Sequence, residues 1–205
     1  MLFRFQVVNI RQVAPVPWRN GGGVTRELLA WPNADAWQLR VSVADIERDG
    51  PFSSFEGVDR AFAVLSGAGI MLGLGPTPVA VTVHGDPVNF AGEAAPSCQL
   101  VNGPTRDLNL MVRRDAGRGH LVRAASGSSW GQAAQRLAWR GLLCWSEARL
   151  ILGSDTSART EDLGAGTLAW QTGPGQTPWQ LEPKSGEGGK GGEPLQAYWL
   201  GWEAF

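Results

Sequence analysis

Along residues 1–115 apolar side chains recur at alternate positions in short runs, most of them bounded by Gly, Pro or Asp. A period of two sends alternate side chains to opposite faces of an extended chain, so the pattern predicts β-strands; helices would repeat every three to four residues. Strand-length runs fall at 3–10, 24–31, 37–44 and 61–67, with further ones at 69–74, 78–84, 97–101 and 107–113. Turn signals such as Asp49-Gly50-Pro51 and Gly75-Pro76 separate them. In WQLRVSVA the alternation sets Trp37, Leu39, Val41 and Val43 against Gln38, Arg40, Ser42 and Ala44. In DLNLMVRR it sets Leu108, Leu110 and Val112 against Asp107, Asn109, Met111 and Arg113. One face of each strand is apolar core. The other either lines a barrel interior with polar groups or faces water as an ordinary solvated surface.

After about Asp115 the texture changes. Trp130, Trp139, Trp145, Trp170, Trp179, Trp199 and Trp202 become frequent, and loops lengthen. Strands are predicted at 119–124, 138–145, 148–152, 166–171, 178–182 and 195–202, with a short helical turn at 129–137. Residues 183–194, rich in Gly, read as a mobile hairpin loop or linker insertion. With 28 Gly and 13 Pro for turns, and 205 residues for a proper core, the chain is expected to be all-β. Residues 1–115 form a half that carries the polar constellations, and 116–205 a half built for packing, together one structural unit.

Charge removes several classes of function. Lys and Arg total 18 against 19 Asp and Glu, so no sequence-wide positive field exists to hold nucleic acid or an anionic membrane. Arg4 interrupts the N-terminal apolar run and no stretch approaches ~20 apolar residues, so the expectation is a cytoplasmic protein. Cys98 and Cys144 lack C-x-x-C spacing and read as buried free thiols. The two histidines, His84 and His120, are isolated, whereas a barrel metalloenzyme needs two or three with a carboxylate at short strand spacing. No metal or other cofactor is therefore expected. No G-x-S-x-G elbow occurs, although triads assemble through space.

The densest polar run is WRNGGGVTREL at 18–28. It lacks the G-x-G-x-x-G or Walker spacing and leads into strand-forming Val24 and Thr25, which argues against a phosphate cradle. It reads either as a barrel-mouth loop presenting Arg19, Asn20 and Arg26 or as a strand-joining turn. Arg60 opens the apolar run AFAVL, where an unpaired guanidinium costs several kcal/mol, so it requires a carboxylate or an anionic ligand. Arg60 and Arg40 are the leading anion-binding candidates. Three functions compete: a metal-free barrel that binds a small acid, a metal-independent hydrolase, isomerase or lyase with Asp49 or Glu27 as general base, and a tryptophan-rich interaction module. A homodimer through a sheet face or edge strand is a further expectation.

Three blocks, WRNGGGVTREL, WQLRVSVADIERDGPFSSFEGVDRAFAVLSGAG and NGPTRDLNLMVRR, resemble the HutD/Ves family of bacterial proteins in order and spacing. The resemblance covers Trp18 to Arg114, just over half the chain. It implies a cupin-type β-barrel fold, with two barrels packed as a bicupin, and a link to histidine utilisation. It also implies binding of a small anionic product of histidine breakdown, with N-formylglutamate the leading suggestion, and restraint of pathway flux or expression. The positions that match the family are Arg19, Asn20, Thr25, Arg26, Arg40, Ser42, Asp49, Arg60, Asp107, Asn109 and Arg113. Of these, Asp49 and Asp107, with Glu27, are expected as supporting carboxylates. The chain departs from the family in GEAAPS before Cys98, where a more acidic turn is usual, and in the glycine-rich stretch near residue 190.

Overall fold

The computed structural model describes residues 5–130, 136–154, 156, 158–173, 177–184 and 195–205. These form strands joined by turns, with two short 3-10 segments at Ile10–Gln12 and Gly92–Ala94 and no α-helix among the described residues. In chain order the strands are β1 (Gln6–Asn9), β2 (Val16–Pro17), β3 (Gly23–Trp31), β4 (Leu39–Ile46), β5 (Gly50–Pro51), β6 (Val58–Ser66), β7 (Ile70–Gly73), β8 (Val79–Val81), β9 (Val88–Ala91) and β10 (Ser97–Leu100). Next come β11 (Thr105–Arg113), β12 (Gly117–Ala124), β13 (Ser129–Trp130), β14 (Trp139–Cys144), β15 (Ala148–Leu152), β16 (Arg159–Leu163), β17 (Thr167–Thr172), β18 (Trp179–Pro183) and β19 (Ala197–Ala204). Of the helical turn expected over 129–137, Ser129–Trp130 are strand, 131–135 lie outside the described residues and Arg136 has 3-10 conformation. Of the glycine-rich stretch, 185–194 lie outside them as well.

Two compact units divide the chain. The N-terminal unit is Gln12–Leu121 with Ala204–Phe205; the C-terminal unit is Val122–Glu203 with Met1–Arg11. The start of the chain thus groups with the second unit, an exchange that the change of composition near Asp115 does not reveal.

In the N-terminal unit a six-stranded sheet, β2-β3-β4-β11-β6-β9, accompanies a four-stranded sheet, β5-β10-β7-β8. Their inward side chains form one core: Ile46, Phe62 and Val64 from the larger sheet, Ile70, Leu72, Val81 and Cys98 from the smaller, and Phe52. Fully burying each such side chain contributes roughly 1.5–3 kcal/mol. The opposite face of the larger sheet is equally dry, with Leu39, Val41, Val43, Leu108 and Leu110 at most 1% exposed. Central strands buried on both sides leave no room for a solvated polar face. Ser42, Arg60, Asp107 and Asn109 are all under a tenth exposed, so for them the surface alternative fails.

The C-terminal unit repeats this plan. β14, β17 and β19 lie in a five-stranded sheet, and β13-β18-β15-β16 form a four-stranded one. Leu142, Cys144, Ala169, Ala197 and Trp199 meet Ala148, Leu150, Leu163, Trp179 and Leu181 in its core.

Candidate functional site

Register assembles the site on the inward face of the larger N-terminal sheet. Across β4 and β11, Arg40 lies opposite Met111, Ser42 opposite Asn109 and Ala44 opposite Asp107. Across β11 and β6, Met111 lies opposite Arg60 and Asn109 opposite Phe62, and β9 sets Phe90 opposite Arg60. Opposed residues share a face, so Arg60, Asn109 and Asp107 form a contiguous polar line in an otherwise apolar interior. Arg60 donates to Asn109 Oδ1 from Nη2 at 2.6 Å and from Nε at 3.3 Å. Asn109 Nδ2 in turn donates to Asp107 Oδ1 at 2.5 Å. Aromatic rings close around the guanidinium: its carbon lies 4.9 Å from the ring centre of Phe90, 5.1 Å from Phe52 and 5.7 Å from Phe55. Such rings offer a cation a negative face without the desolvated charge a carboxylate would bring.

Burial sets the protonation of this line. It pulls the Arg60 guanidinium down to about 10, with Asp107 opposing, so the group stays charged at neutral pH. It pushes the Asp107 carboxyl up to about 8, against the pull of Arg60 and the Asn109 hydrogen bond. At pH 7 Asp107 therefore holds a proton, and the line as a whole carries close to one positive charge. Cys98 nearby is pushed up to about 12 by burial, with Asp107 and Asp49 adding to it, and is an inert thiol.

A cavity of about 430 Å³, within the range of small-molecule sites, lies on the opposite face of this sheet: Asp59, Ala61, Leu110 and Val112 alternate away from the Arg60 guanidinium, and Arg60 borders the cavity as their neighbour in β6. Its walls include Asn89, Phe90, Arg118 and His120, over apolar ground supplied by Ala61, Leu110 and Val112. Asp59 lies at the same cavity, but Arg114 pairs with its carboxylate at 2.9 Å and offsets its charge. Sequence reasoning did not single out Asn89, Phe90 or Arg118, and it set His120 aside as isolated. Strand β9 carries too short an apolar pattern to be noticed, and no spacing in the chain announces its pairing with β6.

The remaining candidates are placed elsewhere or are committed to other partners. In the run 18–28, Gly21 takes a positive φ of 68°, Asn20 Oδ1 accepts from Gly22 N at 3.0 Å, and Thr25 Oγ1 accepts from Trp18 Nε1 at 2.7 Å. A Cβ at Gly23 would collide with the Asp45 carbonyl, so the third glycine lets β3 approach β4. These groups build the strand-joining turn, and Arg19 is exposed beside it. Arg26 alternates to the opposite face from Thr25 and Glu27, where it pairs with Asp45 at 2.7 Å; Arg106 binds the other oxygen of the same carboxylate. Arg40 donates from Nε to Glu27 Oε2 at 2.6 Å. Asp49 Oδ1 accepts from Leu100 N at 2.8 Å, and Arg113 is half-exposed at the end of β11 beside Asp115. Of the predicted set, the structure thus brings Arg60, Asn109, Asp107 and Ser42 together in the interior, with Arg40 and Glu27 in the neighbouring rows. Among the described residues no group of three His, Cys, Asp or Glu side chains could hold a metal ion. No described helix is long and apolar enough to cross a membrane.

Paired sheets around a single core, with polar groups on the inward face of one, define a cupin-like β-barrel protein. Oxalate decarboxylase from Bacillus subtilis shares this fold at a TM-score of 0.59 and 11% identity, over 96% of this chain and 76% of that one. The chain belongs to the HutD family, whose model matches residues 11–186. HutD from Pseudomonas fluorescens SBW25 superposes at a TM-score of 0.80 with 22% identity, over 98% of this chain and 100% of that one. In sequence, the chain is 35% identical over 120 residues to a 21.2 kDa protein in the hutC 3' region of Pseudomonas putida, covering 58% of this chain and 63% of that protein. It is 38% identical over 110 residues to protein Ves of Citrobacter koseri, covering 52% and 57%. The matches span less than two thirds of the length of these curated relatives.

Proposed function

We propose that this chain is a small-molecule-binding regulatory protein that holds a small anionic metabolite of histidine degradation, N-formylglutamate in kind. One observation carries the reading: Arg60 is a buried, charged guanidinium on the inward face of the sheet, ringed by Phe52, Phe55 and Phe90, and its nearest hydrogen-bonded partner is a neutral amide. A buried cation left without an anion is costly, and a carboxylate bound by a guanidinium forms hydrogen bonds roughly twice as strong as neutral ones. Arg60 takes one carboxylate of the ligand. Phe90, Phe52 and Phe55 around the guanidinium cover the apolar stem of the ligand. The link to histidine breakdown comes from the HutD family and from the relative in the hutC 3' region.

Thermal denaturation with N-formylglutamate, glutamate, urocanate and histidine tests this. A true ligand at a hundred times its Kd adds about 2.7 kcal/mol. N-formylglutamate is expected to stabilise most, and Arg60→Met, which keeps the length of the side chain but not its charge, is expected to remove the response. Equal and negligible shifts for all four compounds would overturn the proposal.

A further inference from the structure

The interior of the C-terminal unit contains a buried arginine of its own. Arg140 lies on the same face of β14 as core residues Leu142 and Cys144, and it is 1% exposed. Its guanidinium stacks over the ring of Trp179 at 4.5 Å, much as Arg60 stacks over Phe90. Nη1 donates to the Thr177 carbonyl at 2.6 Å and Nη2 to Gln171 Oε1 at 3.0 Å. Both acceptors are neutral. Burial pulls this guanidinium down to about 10, with no carboxylate acting on it, so the group remains a cation at neutral pH.

Among the described residues, three buried N–H donors here have no acceptor: Arg140 Nε and the indole nitrogens of Trp179 and Trp130. They belong to one neighbourhood. Trp130 and Trp179 face each other across β13 and β18. The Trp130 ring reaches over Gly201, whose absent Cβ would sit 2.9 Å from it, and Gly201 is directly opposite Arg140 across β14 and β19. Buried donors without acceptors are rare because each forfeits its hydrogen bond to water, and a lone buried positive charge adds a larger penalty. A water molecule would supply acceptor lone pairs but no counter-charge. A compact anion supplies both.

We propose that the core of the C-terminal unit is a second anion site, separate from the Arg60 site, where Arg140 Nε and the indole N–H groups of Trp179 and Trp130 bind a monovalent anion of the size of formate. The pattern is selective by its chemistry. The unpaired groups are N–H donors, and the two acceptors beside them, the Thr177 carbonyl and Gln171 Oε1, are already engaged by Arg140, so a cation gains nothing, and a single fixed charge does not offset the desolvation of a dianion. Trp130 and Leu137 both come within 2.9 Å of the Cβ position at Gly201, opposite Arg140, so close packing there limits the occupant to a few heavy atoms.

The test is titration with sodium formate, against sodium sulfate at equal ionic strength, of the full chain and of Arg60→Met, Arg140→Met and Trp179→Phe. Tryptophan fluorescence reports it, since seven of the ten tryptophans lie in the C-terminal unit. In the wild type and in Arg60→Met, saturating formate should shift emission and raise the melting temperature by about 5 °C, with no such effect of sulfate. Arg140→Met should lose the response. Trp179→Phe, which keeps a ring in the core and removes one donor, should weaken formate binding about tenfold and stands as the decisive variant if Arg140→Met does not fold. Full response in both Arg140→Met and Trp179→Phe, or its complete loss in Arg60→Met, would overturn the second site; the N-formylglutamate response of Arg60→Met tests the first site separately.

Discussion

Arg60 and Asp107 are separated by one hydrogen-bonded amide, and burial moves their proton affinities toward each other, Arg60 down to about 10 and Asp107 up to about 8. The consequence for stability has a definite sign. An aspartate in the unfolded chain titrates near 3.9, so between about pH 4 and pH 8 the folded state holds a proton that the unfolded state lacks. Stability from the protonated carboxyl is complete below pH 4 and drains as pH rises toward 8, by up to about 1.4 kcal/mol per pH unit. In Asp107→Asn the oxygen still accepts from Asn109 but no longer titrates. The difference in urea stability between wild type and variant should therefore fall steadily from pH 5 to pH 8; parallel profiles would contradict a protonated Asp107. That Arg60 matters is legible in the sequence, because a guanidinium opening the run AFAVL must find a partner. Which group partners it is not legible. Alternation places Arg40, Ser42, Asp107 and Asn109 on inward faces alike, and only the stacking of β4, β11 and β6 brings Asn109 within reach while Arg40 turns to Glu27.

At the scale of elements, the alternation in residues 37–44 and 107–113 was enough to separate the two faces of β4 and β11, since a strand paired on both sides cannot slip without exposing its whole apolar set, but it left open whether the polar face is interior or solvated, which the burial of Ser42, Asp107 and Asn109 decides. Strands that escaped notice have physical reasons. β2 and β5 are two residues long. β16 reads RTEDL because it is an edge strand, where exposed charges guard against further pairing. The ladder β3-β4-β11 has a charged fastening of its own on the face away from Arg60. Asp45, in the middle strand, binds Arg26 on one side and Arg106 on the other. Burial alone would raise its pKa, but the hydrogen bonds and charges of Arg106 and Arg26 outweigh that and hold the carboxyl below the usual range. The sign is opposite to that of Asp107: stability is present above the unfolded value near 3.9 and lost as pH falls through the folded one. Because all three groups are partly solvated, Asp45→Asn should cost about 1 kcal/mol at pH 7. That gap should close as pH falls through the depressed folded-state pKa, below the usual carboxylate range, and the wild-type carboxylate protonates. A variant with wild-type urea stability at pH 7 would show the fastening to be ornamental.

The whole molecule is assembled from two units whose boundary does not follow the order of the chain. Local patterning cannot disclose this, because the period of residues 3–10 identifies a strand and says nothing of which sheet receives it. Strand β1 pairs with β17, from Gln6 opposite Trp170 to Asn9 opposite Thr167. Around that ladder Asn9 Nδ2 donates to the Ala165 carbonyl at 2.9 Å and to Thr167 Oγ1 at 2.8 Å, and Ile10 N donates to the Gly166 carbonyl at 2.9 Å. Phe5 packs edge-on against Trp179 at 5.8 Å, and a Cβ at Gly166 would strike Ile10. Removing residues 1–11 strips the edge of β17 and uncovers two apolar side chains, a loss of about 2–4 kcal/mol by the usual cost of large-to-small changes in a core. The damage should fall on the unit far along the chain and not on the one that begins at Gln12. Hydrogen exchange in the truncated protein is expected to accelerate in peptides spanning β14 and β17, while β4, β6 and β11 keep their protection. Accelerated exchange in β4, β6 and β11 with β14 and β17 unchanged would mean that the start of the chain serves the unit it precedes, and the division of the fold at Leu121 would have to be redrawn.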